Sequence, residues 1–66
     1  MNLRHDIKAG DLVAWQVDLV CGEITETGIV VEVTSDDDGN PGAKVNWQAG
    51  VYWSPIALIR NIRDFL

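Results

Sequence analysis

Cysteine is almost missing from this chain. Cys21 stands alone, so no intrachain disulfide can form, whereas secreted domains of this size usually carry several paired cysteines. A reducing, cytoplasmic setting is the expectation. Basic residues are scarce as well: ten Asp and Glu stand against five Lys and Arg, a formal charge of −5 at pH 7. Arg4, Lys8, Lys44, Arg60 and Arg63 form no cluster along the chain. Binding to duplex nucleic acid or to an anionic membrane draws on several cations together, so neither is an expected partner. No apolar run approaches the roughly 18 residues that a membrane span needs, and the opening Met1-Asn2-Leu3-Arg4-His5-Asp6 is polar.

The constellations that carry chemistry are missing too. No Ser/His/Asp set, glycine-rich phosphate loop or metal-ligand spacing occurs in the sequence. The one histidine, His5, lies in the N-terminal segment with no carboxylate or nucleophile arranged to make it a general base. Cys21 stands beside Gly22 and near Glu23, not the electropositive setting of a reactive thiol, and reads as structural or incidental. The expectation is a protein that is not an enzyme and takes no cofactor or metal.

Hydrophobic residues make up 47% of the 66, a globular composition with room for one domain. Stability on the order of 3–5 kcal/mol is usual for so short a chain, and without disulfides the core or an oligomer must supply it. Apolar positions recur with period two, and no stretch of ten or more keeps helical spacing. The first strand is expected at Leu12-Val13-Ala14-Trp15-Gln16-Val17, with Val13, Trp15 and Val17 inward. Asp18 to Thr27 is irregular and reads as a long loop or loose hairpin. The second strand, Gly28 to Thr34, is expected to turn Ile29, Val31 and Val33 to the core. Ser35-Asp36-Asp37-Asp38-Gly39-Asn40-Pro41-Gly42 collects turn formers. Ala43, Val45 and Trp47 then alternate with polar residues, and Gln48-Ala49-Gly50 makes a tight hairpin into Val51-Tyr52-Trp53-Ser54. Pro55 ends that strand, Ile56-Ala57-Leu58 fits one 3₁₀ turn, and Ile59 to Ile62 is the last strand. Trp15, Val31, Val45 and Trp53 are the expected core.

This order of elements resembles the SH3-like barrel, an all-β fold with five strands and a short 3₁₀ turn before the last. The resemblance runs from about Gly10 to Ile62, leaving 1–9 and 63–66 as tails. Its most specific stretch, Gly50-Val51-Tyr52-Trp53-Ser54-Pro55-Ile56-Ala57-Leu58-Ile59, looks like the closing segment of SH3 domains and is similar to KOW and Tudor-like barrels. Gly10-Asp11-Leu12-Val13 and Gly28-Ile29-Val30-Val31 also look like small barrel proteins of tailed bacteriophages. The peptide-binding surface of SH3 domains does not carry over. The first loop has no aromatic, Lys44 stands where a tryptophan follows the second loop, and Leu58 stands where a tyrosine follows the closing proline. Pro55 matches, and Asp18, Glu23 and Glu26 are similar to that loop's acidic charge.

Two clusters invite a ligand. Asp36, Asp38 and Asn40 could begin a calcium loop, but Pro41 takes the place of the required glycine and Trp47 that of the closing glutamate, so a solvated turn is expected. Trp15, Trp47, Tyr52 and Trp53 are many aromatics for so small a chain, and Tudor-like barrels cage methylated cations with such groups. Core packing is the expected role of the tryptophans, and Tyr52, in the opposite phase, is expected outside. Asp18, Glu23, Glu26, Tyr52, Pro55 and Phe65 form the expected protein contact surface. The leading expectation is an acidic adaptor that docks on another protein, a virion or host factor under the phage resemblance. The alternatives are a structural homo-oligomer, an acidic mimic of nucleic acid and, ranked below these on charge, a KOW-like or Tudor-like nucleic-acid module.

Overall fold

A computed structural model describes residues 7–65, with side chains described through Arg63. His5 lies outside the described residues. Five strands, β1 (Leu12–Trp15), β2 (Thr27–Val33), β3 (Gly42–Trp47), β4 (Gly50–Pro55) and β5 (Ile59–Asn61), form one antiparallel sheet in the order β4-β3-β2-β1-β5. A 3₁₀ turn, Ile56–Leu58, joins β4 to β5, and a second, Ile62–Phe65, follows β5. This arrangement is consistent with an SH3-like fold. The sheet is open: β4 and β5 are its two edges and do not pair with each other, so a closed barrel is not what the strand pairing describes.

The core lies on one face. Val13, Val30, Ala43, Val45, Trp47 and Ile59 are buried together with Ile7, which precedes the sheet, and Trp15 and Ile56 pack against them half-buried. β3 keeps the expected alternation, with Ala43, Val45 and Trp47 inward and Lys44 and Asn46 outward. Its hairpin to β4 turns on Gln48 and Ala49, with Trp47 paired to Gly50.

Several expectations are corrected. In β2, Val30 is buried while Ile29, Val31 and Val33 are each at least 43% exposed. The pairing of Val13 with Gly28 turns Gly28 and Val30 inward, and the register shift between Val30 and Glu32 displaces Val31 from the ladder. In β4 the phase is likewise reversed: buried Ser54 marks the inner phase, shared by Tyr52, whereas Trp53 sits opposite outward-facing Lys44. Trp53 is half-buried all the same, because its indole lies over Gly42 and donates from Nε1 to the Thr34 carbonyl at 3.0 Å. Trp15 is half-buried too, not enclosed.

The first strand ends at Trp15; Gln16 and Val17, expected to continue it, and Asp18 to Cys21, expected in the loop, form a short helix, α1 (Gln16–Cys21). Val17 is therefore 64% exposed on a helix and not inward on a strand. The helix stops at Gly22, whose φ of 83° lies in the left-handed region and whose N–H donates to the Asp18 carbonyl. Cys21 is exposed. β5 is one residue shorter than expected, since Ile62 opens the closing 3₁₀ turn. No described helix is long and apolar enough to cross a membrane.

Candidate functional site

The site grows from two indoles that meet across a strand. Trp15 ends β1 and Trp47 ends β3, with β2 between them in the sheet. Their rings stack with centroids 4.4 Å apart and planes 11° apart. Gly28 makes this possible from below: a Cβ there would lie 2.8 Å from the Trp47 ring and 2.5 Å from Val45. Trp47 is fixed by its Nε1, which donates to Oγ of buried Ser54 at 3.2 Å. Trp15 donates from its Nε1 to Oε1 of half-buried Glu26 at 3.3 Å.

Glu26 stands just before β2, on the loop that follows α1, and Asp18 holds that loop in place. Its Oδ2 accepts from the Thr25 hydroxyl at 2.7 Å and from the Thr25 N–H at 3.0 Å. These bonds, the hydroxyl's first, hold the Asp18 carboxyl below its ordinary pKa. Asp18 thus fastens the loop through its Oδ2.

Trp15, Trp47, Tyr52 and Glu26 line a solvent-open pocket of about 460 Å³ together with Ala49, Trp53 and Ser54. Tyr52 is 56% exposed, with its hydroxyl 3.5 Å from the Ala49 carbonyl. On the other side of Trp15 lies a second, apolar groove of about 390 Å³, between Val17 and Val20 of α1 and Ala57 and Leu58 of the 3₁₀ turn. No lysine or arginine lines either one. A carboxylate keeps several lone-pair positions, so Glu26 can accept from Trp15 and still face a cation. Aromatic faces with an adjacent carboxylate are complementary to positive charge.

Of the expected contact residues, Glu26 and Tyr52 come together in the first pocket. Asp18, in α1, does not line it, and Glu23 is exposed on the loop after α1. Pro55 caps the 3₁₀ turn that walls the second groove, and the side chain of Phe65 lies outside those described. Sequence reading assigned Trp15 and Trp47 to the core and missed Val17, Val20 and Leu58. The count of tryptophans signalled the first pair. The i, i+3 spacing of Val17 and Val20 ahead of Gly22 is the trace of the helix that carries them.

The Asp loop is organised by one residue. Asp36 accepts through its carboxylate from the N–H groups of Asp38 and Asn40 and from Asn40 Nδ2 at 2.9–3.0 Å. The Asn40 side chain, ahead of its N–H, holds the Asp36 carboxyl below its ordinary pKa. Among the described residues no group of three or more His, Cys, Asp or Glu side chains is placed to hold a metal ion. No protein-family model matches the chain, and no curated protein or solved structure shows significant similarity to it.

Proposed function

We propose that the protein is a non-enzymatic docking module of SH3-like barrel type that binds a partner protein by taking a lysine or arginine side chain into the Trp15/Trp47/Tyr52/Glu26 pocket. The observation that carries this reading is the half-buried Glu26 carboxylate beside an indole pair in a pocket that lacks any cation of its own. The chain's −5 charge supports it, because an acidic field draws basic partners in and speeds encounter. Under the phage resemblance that partner belongs to a virion or to the host. The approach of a cation to an aromatic face contributes about 0.5–2 kcal/mol, so one side chain gives weak binding and the surrounding surface must add the rest.

The test uses small probes on the whole chain. Nuclear magnetic resonance follows the indole N–H signals while N-acetyl-arginine amide, N-acetyl-lysine amide and the neutral N-acetyl-norleucine amide are titrated in. The expected result is a saturable shift of the Trp15 signal with both cations and none with norleucine. Glu26→Gln should weaken the response by about tenfold, the effect of removing the charge from a hydrogen-bonding partner at a partly buried site. Equal shifts with the neutral probe, or an unchanged response in Glu26→Gln, would refute the reading.

A further inference from the structure

The two edges of the sheet are built differently. β5 has three residues and carries Arg60, and a short strand with a cation is a usual way of keeping an edge from pairing. β4 runs for six, Gly50 to Pro55, with no charged residue, and Val51 and Tyr52 are 54% and 56% exposed.

The hydrogen bonds also fix which backbone groups this edge offers. The Thr34 N–H donates to the Gly42 carbonyl at 3.0 Å, so that carbonyl points to β2 and away from β4. Gly42 and Pro55 are therefore a non-hydrogen-bonded pair, which also suits a residue without an N–H. Bonded and non-bonded pairs alternate along an antiparallel ladder. Lys44 with Trp53 and Asn46 with Val51 are then non-bonded pairs as well. The N–H and C=O of Val51 and of Trp53 point to the open edge, where no described backbone group meets them.

We propose that β4 pairs antiparallel with β4 of a second copy, about a twofold axis through Tyr52. In this register Val51 faces Trp53 of the partner subunit and Trp53 faces Val51 of the partner subunit. Each of these residues donates and accepts one backbone bond across the axis. A second copy fits because an isologous contact needs a patch that complements itself. β4 has no charge to repel its own image, and its outward-pointing residues, two apart, fall opposite one another. The two Tyr52 side chains form a cross-strand aromatic pair on the axis. The axis is normal to the sheet, so both aromatic pockets open on the same face, side by side.

The experiment is sedimentation equilibrium of the whole chain between about 10 µM and about 1 mM, concentrations suited to an interface well below standard size. The expected result is a rise to twice the monomer mass. Val51→Pro removes a donor that β3 does not use, and should raise the dissociation constant at least about tenfold with the near-ultraviolet circular dichroism of the tryptophans retained. A monomer at every concentration, or a dimer indifferent to Val51→Pro in a folded variant, overturns the proposal. If that variant does not fold, Tyr52→Cys in a Cys21→Ser background decides: it should oxidise to a covalent dimer, and failure to do so overturns the proposal.

Discussion

Asp18 and Asp36 do the same work in two loops. Each gathers hydrogen bonds from residues a few positions ahead, Thr25 in one case and Asn40 in the other, and each is held below its ordinary pKa for that reason. A carboxylate depressed in the folded state adds stability above its unfolded pKa, about 3.9. That stability disappears as pH falls through the folded value. The melting temperature should therefore be flat from about pH 8 to about pH 5 and fall below about pH 4. Asp18→Asn and Asp36→Asn should each melt lower than the parent at neutral pH and converge with it in acid. Thermal melts across that range check this; a constant gap down to about pH 2 would show that the carboxylate charge is not the cause. Asp37 and Asp38 are exposed, and their replacement by asparagine should leave the melt unchanged. The sequence announced Asp36 to Asp38 as one acidic turn, but not that one of the three organises it, because turn composition does not show which carboxylate points back at the backbone.

At the scale of the element, β3 was legible because Ala43, Val45 and Trp47 alternate with polar residues and leave one possible phase. β2 was not. Ile29, Val30, Val31 and Val33 are apolar in both phases, and the choice fell to Gly28, which closes against Val45 and Trp47, and to the bulge after Val30. Helix α1 escaped for another reason: it has only six residues and its N-cap, Trp15, makes no side-chain bond to it, so the single Val17/Val20 pair and the closing Gly22 are its whole trace in the sequence. Glu26 was legible as part of an acidic loop and Tyr52 as an exposed aromatic, although Tyr52 is exposed from the inner phase of β4 and not the outer one, while the groove that α1 carries went unread with the helix. In β4, the packing of the Trp53 indole over Gly42 makes a specific demand. A Cβ at position 42 would strike the Trp53 indole and come within 2.7 Å of the Ser54 carbonyl. Gly42→Ala should cost about 1–3 kcal/mol, the usual range for overpacking, seen as a lower urea midpoint and a changed near-ultraviolet signal from Trp53. An unchanged midpoint would mean that the β4 edge yields freely, and the register of its self-pairing would lose its support.

At the scale of the whole molecule, the fold places the described cations Lys8, Lys44, Arg60 and Arg63. Five positive side chains could still make a nucleic-acid patch if folding gathered them, and closure of the sheet into a barrel would bring β3 and β5 toward each other. The open order β4-β3-β2-β1-β5 does the reverse. Lys44 on β3 and Arg60 on β5 are three strand spacings apart, roughly 14 Å at about 4.8 Å per spacing. Lys44 is further engaged with Glu32, 3.8 Å away across the β2–β3 ladder. Phosphate binding depends on neutralising several phosphates at once, and ten Asp and Glu outnumber the five Lys and Arg in the sequence. Duplex DNA and RNA are therefore expected to show no measurable binding at physiological salt by fluorescence anisotropy, and at low salt only a response weaker than the roughly 10⁻⁴–10⁻⁶ M of competent non-specific binders. Micromolar affinity with a steep salt slope would show that Lys44, Arg60 and Arg63 act together, and would replace the docking reading by a nucleic-acid one. The same charge bears on the proposed dimer, since two copies at −5 repel and added salt screens that repulsion. A β4 interface held by backbone bonds and apolar packing should tighten as salt rises, whereas any complex with DNA would loosen. One salt series, read on both equilibria, separates them.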